Sequence, residues 1–158
     1  MKTMKKIFYL IAIVLIVAQF FQPEKNEGSL ASVEPFYNET KPSEEVKTIL
    51  KTACFDCHSD ATNYPWYSKI TPVNYWLADH IEDGKKHLNF SNWVGNSVKR
   101  KDHKMDELIE EIEEHKMPLE SYTLIHKDTK LSESQIEAVT TWAKMVRVSY
   151  GIEALPEY

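Results

Sequence analysis

Cys54-Phe55-Asp56-Cys57-His58 contains the only two cysteines of the chain. C-x-x-C-H is the attachment signature of a c-type haem. In that reading Cys54 and Cys57 form thioethers with the haem vinyl groups, and His58 reaches the iron from the proximal side. A macrocycle fixed at one point limits the fold to one that can close around it. Three other readings of the cysteine pair stand beside it: a disulfide, a thioredoxin-like redox pair and half of a zinc site. A thioredoxin-like pair needs a βαβ context, which the sequence lacks. A zinc site needs further ligands at tight spacing, and the six histidines offer no clear H-x3–5-H pair.

The first 22 residues differ from the rest. Lys2, Lys5 and Lys6 make a basic leader, residues 7–21 are almost continuously apolar, and Gln22-Pro23-Glu24 follows. This pattern marks a secretory signal or a signal anchor. The apolar run is shorter than the roughly 20 residues that span a bilayer comfortably. Against cleavage, no small-x-small site follows directly, and Ser29-Leu30-Ala31 lies well downstream. The expectation is an uncleaved anchor over residues 1–22, with a cleaved signal as the competitor. Either places the remainder across the cytoplasmic membrane, on the side where c-type haem is attached. The expected location is the periplasmic face, tethered or soluble.

Three of the 19 lysines and arginines lie in that leader, so 16 face 24 acidic residues beyond it, a formal −8. That balance argues against nucleic acid and favours a basic or neutral redox partner, although acidity also simply keeps a protein soluble. Residues 23–42 are polar and turn-prone and are expected to be a linker.

Only four glycines occur in the chain, and apolar residues recur with helical period, so residues 43–158 are expected to be all-α. Ser43 opens the first helix, with Val46, Ile49, Leu50 and Ala53 on one face, running straight into the cysteine motif. Thr71-Pro72 reads as an N-cap followed by proline at the first helical position. The helix it opens runs to about residue 86, with Val73, Trp76, Leu77, His80 and Ile81 as its stripe. A third helix over about 101–116 carries Met105, Leu108, Ile109 and Ile112, and Pro118 stops it. Ser132 to Gln135 forms a capping box for the last helix, lined by Ile136, Val139, Ala143 and Val146, with Trp142 nearby.

Met117 is the candidate sixth iron ligand. It lies at a helix end beside proline, where the thioether can leave the helical path, and Met opposite His suits electron transfer. Met105 and Met145 read as core filler. His80 shares a face with Trp76 and Leu77 and is an alternative distal ligand, as is His126, which can instead brace its own loop. His87, His103 and His115 read as solvated. Trp66, Tyr67, Trp76, Phe90 and Trp93 are candidates for a haem-pocket wall or for ordinary packing. Lys85, Lys86 and Arg100 are candidate partners of the haem propionates.

Several blocks in order carry a resemblance. They are Cys54 to Ser59, Tyr64-Pro65-Trp66-Tyr67 running on to Val73, Leu88 to Trp93, Met117-Pro118-Leu119 with Tyr122, and His126 before Leu131-Ser132. Together they resemble the bacterial haem-binding domain family, membrane-anchored single-haem proteins, over about residues 40–145. The order of parts is also similar to class I cytochromes c. The resemblance implies a cytochrome-c-like helical domain around one covalent haem c. The function expected is one-electron transfer to an unidentified redox partner. The rival is a haem enzyme or a gas or peroxide sensor with an open distal site, in which His80 acts as acid–base. A haem-free interaction protein with a Cys54–Cys57 disulfide is the third reading.

Overall fold

The computed structural model describes residues 2–153. Its helices in chain order are α1 (Lys2–Ala18), α2 (Glu34–Thr40), α3 (Glu44–Ala53), α4 (Phe55–His58), α5 (Val73–His87), α6 (Val98–Glu113), α7 (Glu120–Thr123) and α8 (Glu133–Glu153). Short 3-10 turns lie at Leu30–Val33, Trp66–Lys69, Phe90–Asn92 and Lys127–Thr129. Among the described residues there is no strand, and one isolated bridge pairs Glu27 with Ala61. The expected all-helical architecture is what forms.

The long helices follow from their caps and stripes. Ser43 accepts a hydrogen bond from the Val46 N–H, and Val46, Ile49, Leu50 and Ala53 are buried on α3 as the spacing predicts. The Ser132 capping box is reciprocal: the Ser132 N–H donates to Gln135 Oε1 at 2.9 Å and the Gln135 N–H to Ser132 Oγ at 3.3 Å. Helices α6 and α8 form the most extensive helix pair, with α3 against α8 and α4 against α5. Between α6 and α8 lie Met105, Ile112, Val139, Ala143 and Val146. Met105 is fully buried filler, but Met145 is 62% exposed and fills nothing.

Two local starts differ from expectation. Helix α6 begins three residues early, because Ser97 takes the cap and accepts from the Arg100 N–H. Pro72 rather than Thr71 occupies the N-cap of α5, and the buried Thr71 hydroxyl has no hydrogen-bond partner among the described residues.

Residues 23–42 are not a linker. Leu30–Val33 and α2 place Val33 and Phe36 in the main core, both with no exposure. The Phe36 ring lies 4.8 Å from Phe90, 5.1 Å from Trp93 and 5.9 Å from Trp142 between centroids. The polar residues that suggested a tether are hydrogen-bonded into the domain instead. Asn26 donates to Ser59 O and Thr62 Oγ1, and accepts from Lys85 Nζ. The Gly28 N–H donates to Asp60 O at 2.7 Å, and a Cβ on Gly28 would stand 2.5 Å from that same oxygen.

The N-terminal apolar run forms α1, with Ile7, Phe8, Leu10 and Ile13 each more than half exposed. It has 17 residues, and among the described residues no helix is long and apolar enough to cross a membrane. The anchor expectation is corrected to that extent. The helix stops where Gln19 turns to the domain: its amide exchanges hydrogen bonds with the Thr71 backbone at 3.1 and 3.0 Å. Gln22 Oε1 accepts from Asn74 Nδ2 at 2.7 Å.

Candidate haem site

Helix α3 ends at Cys54, which caps both α3 and the single turn of α4. That turn holds Cys54, Cys57 and His58 on one wall of a cavity of about 530 Å3. The size is within the roughly 300–1,000 Å3 range of cofactor pockets. Helix α5 forms the second wall with Trp76, His80, Gly84 and His87, and α6 the third with Lys104, Leu108 and Ile112. Met117, Pro118, Leu119 and Tyr122 close a further side, with Phe90 and Leu131. The motif and the candidate Met117 are 59 positions apart in sequence (117 minus 58) and meet at one cavity.

The turn of α4 fits against α5 through Gly84. A Cβ at that position would meet the Cys57 carbonyl oxygen at 2.8 Å, closer than a side chain tolerates. Glycine here permits the close approach of two backbones.

His58 Nδ1–H donates to the Leu88 carbonyl at 2.9 Å, so the Nε2 lone pair remains available to a metal. This is the orienting bond that metal-binding imidazoles use. Burial lowers the His58 pKa, against the opposing pull of the nearby Leu88 and Gly84 backbone carbonyls, and favours the neutral ring. Burial pushes the Cys54 thiol up to about 12, aided by Cys57, and the Cys57 thiol up to about 11, aided by Asp56. Thiols so shifted are not the activated thiolates of a disulfide oxidoreductase. Among the described residues no group of three or more His, Cys, Asp or Glu could hold a metal ion.

Met117 reaches the cavity because α6 ends in a tight left-handed turn. His115 adopts φ 55°, and the Lys116 and Met117 N–H groups both donate to Glu111 O, at 2.9 and 3.0 Å. His80 also lines the cavity, its Nδ1–H donating to Trp76 O at 2.8 Å. His126 does not line it: its Nε2 pairs with the Tyr67 hydroxyl at 2.7 Å, and its ring stacks on Tyr122 at 4.4 Å. It braces its loop instead.

The aromatic set divides. Trp76 and Phe90 line the cavity, Trp93 belongs to the main core, Tyr67 packs on Leu77 and Ile81, and Trp66 is 76% exposed. The three cations singled out for propionates are elsewhere: Lys85 pairs with Asp60 at 2.7 Å, Lys86 with Glu82 and Asp83, and Arg100 is exposed.

Two site residues escaped the sequence reading. The Tyr122 hydroxyl donates to Asp56 Oδ2 at 2.6 Å, and the Asn63 N–H donates to Asp56 Oδ1. The carboxylate between the cysteines is thereby held from both sides. Burial and the Asp56 carboxylate raise the Tyr122 pKa, so the phenol stays protonated and donates. Tyr122 stands close to Met117 in the block that resembled a family, which was its only signal. Lys104 is the second, and a lysine on a helix with other charges gave no signal.

Cysteine pair, oriented imidazole and a cavity with Phe90, Leu108, Ile112, Leu119 and Leu131 in its wall fit a haem, and together they define a helical haem-binding protein. A model of the haem-binding domain family matches residues 13–145, most of the chain, and the protein belongs to that family. The match includes the 23–42 segment, in keeping with its place in the core. Comparisons with curated proteins and with solved structures each returned no match.

Proposed function

We propose that the protein is a one-electron carrier with a single haem c, joined through Cys54 and Cys57 and ligated by His58 and Met117. The observation that carries this is the meeting of all four residues on one cavity, with His58 Nε2 left free by the Leu88 carbonyl. When bound, haem supplies the one-electron couple. The chain supplies ligands, burial and orientation. Leu88 O fixes the His58 ring; Leu108, Ile112, Leu119 and Leu131 give the cavity an apolar face for the macrocycle; Asp56 and Tyr122 hold the cysteine turn in place. Methionine ligation and burial both raise the reduction potential.

The leader in this reading exports the domain, which acts on the outer side of the cytoplasmic membrane. The acidic surface suits a basic or neutral redox partner. A reporter fused after residue 158 and active only when exported tests the location; activity confined to the cytoplasm would contradict it.

His80 supports a second reading. It lines the same cavity with Nδ1 occupied by Trp76 O, so its Nε2 is also available, as ligand or as acid–base in a haem enzyme or sensor. Carbon monoxide added to the reduced protein separates the two. With Met117 on the iron, wild type resists carbon monoxide, Met117→Ala binds it readily, and His80→Ala behaves as wild type. A wild-type protein that binds carbon monoxide at once, or one opened by His80→Ala alone, moves the second reading to first place.

A further inference from the structure

The cavity wall is rich in carboxylates, of which Asp83 and Glu111 pair with Lys86 and Lys116 from outside it. Six carboxylate residues line it (Asp56, Asp79, Asp83, Glu107, Glu110 and Glu111), yet Lys104 is the only lysine or arginine among the described lining residues. A haem brings two further carboxylates, its propionates, and a carboxylate taken out of water without a cation is strongly disfavoured. Lys104 is only 8% exposed, which is rare for a lysine without an ion-pair partner. Its ammonium donates to the His87 carbonyl at the end of α5, and it makes no ion pair among the described residues. One of its three N–H donors is thus accounted for, and two remain.

We infer that Lys104 is the counter-ion of a haem propionate, its ammonium bridging the end of α5 and the carboxylate of the bound cofactor. The inference rests on the haem reading of the cavity. Capping the last carbonyls of α5 explains why a lysine points there, but an arginine or an exposed lysine would cap equally well. Burial and then Arg100 lower the Lys104 pKa, and Glu107 opposes them only in part, so the site gains from a further anion that favours the charged form. A cation held at the haem also favours the ferrous over the ferric state, because reduction removes one positive charge from its neighbourhood.

The test uses the haem-loaded full chain with the propionate carboxyl carbons isotopically labelled. Redox-difference infrared spectra are recorded for wild type, Lys104→Met and Lys104→Arg, with potentials measured in parallel. Wild type and Lys104→Arg should show one propionate band displaced by ion pairing, and Lys104→Met should return it to the position of a solvated or protonated carboxyl. The ferrous–ferric equilibrium of Lys104→Met should shift about tenfold towards ferric, close to 59 mV for one electron. Identical propionate bands in wild type and Lys104→Met overturn the inference, even if the potential moves, since a charge can act without pairing. If Lys104→Met fails to accumulate, wild type decides alone: two solvent-like propionates overturn the pairing. A wild-type chain that carries no haem removes the parent reading as well, which distinguishes the two failures.

Discussion

At the scale of single residues, the site depends on groups whose geometry is set by what they touch rather than by their own chemistry. His58 keeps Nε2 available for the proposed iron because Leu88 O takes its other nitrogen. Cys57 is correctly placed because Gly84 lets α5 lie against its carbonyl. Gly84→Ala should therefore destabilise the fold by about 1–3 kcal/mol through overpacking, and the turn of α4 should be displaced with it. The check is a denaturation midpoint measured beside the fraction of chain that retains haem on a denaturing gel. Unchanged stability and full haem occupancy would show that the approach is not tight. The cysteine pair, His58 and Met117 were legible in sequence because each is rare or breaks a pattern. Tyr122 and Lys104 were not, since nothing local distinguishes a tyrosine that holds Asp56 or a lysine whose stem lies along an apolar face.

At the scale of elements, a polar network ties three helices together. Glu39 of α2 accepts from Lys101 of α6 at 2.9 and 2.7 Å, from Tyr150 of α8 at 2.6 Å and from Trp93 at 3.2 Å. Burial alone would raise the Glu39 carboxyl. The hydrogen bonds from Lys101, Tyr150 and Trp93 outweigh it and hold the group below its ordinary value. A carboxylate with a depressed folded pKa contributes stability that is present above its unfolded value, about 4.3, and is lost as pH falls through the folded value. Wild type should thus lose stability on acidification below about pH 4.3. Glu39→Gln should start less stable at pH 7, by about 1 kcal/mol because solvent screens this partly exposed carboxylate, and lose less below pH 4.3. Parallel acid profiles for the two proteins would contradict the role of Glu39. Helices α3, α6 and α8 were readable because each carries a long stripe, and α3 and α8 also a recognisable start. Helix α2 was not: seven residues with Pro35 and one central Phe36 give no period, and its neighbours look like a linker.

At the scale of the whole molecule, the domain begins before residue 43. Phe36 meets Phe90, Trp93 and Trp142 in the core, and Asn26 and Gly28 bind the loop that follows the cysteine motif. Phe36→Ala should lower stability by about 3–5 kcal/mol, the range for truncating a buried aromatic. A spacer would tolerate that change, so a melting temperature equal to wild type would restore the linker. Composition misled here because Asn, Gly and Ser suit both an unbound tether and a loop whose polar groups are satisfied by the domain. Only the contacts across the fold separate the two. The apolar leader remained legible as a helix, but the hydrogen bonds that Gln19 exchanges with Thr71 and that Gln22 accepts from Asn74 could not be read from periodicity.

The proposed function turns on one claim, that Cys54 and Cys57 carry a covalent haem in this cavity. The most direct test is the intact mass of the denatured chain, produced with export and haem-attachment machinery, for wild type and for the Cys54→Ala/Cys57→Ala double variant. The account predicts a wild-type chain heavier by one haem and a double variant at the mass of the polypeptide alone. A wild-type chain at the bare polypeptide mass, or lighter by two hydrogens from a Cys54–Cys57 disulfide, would contradict it.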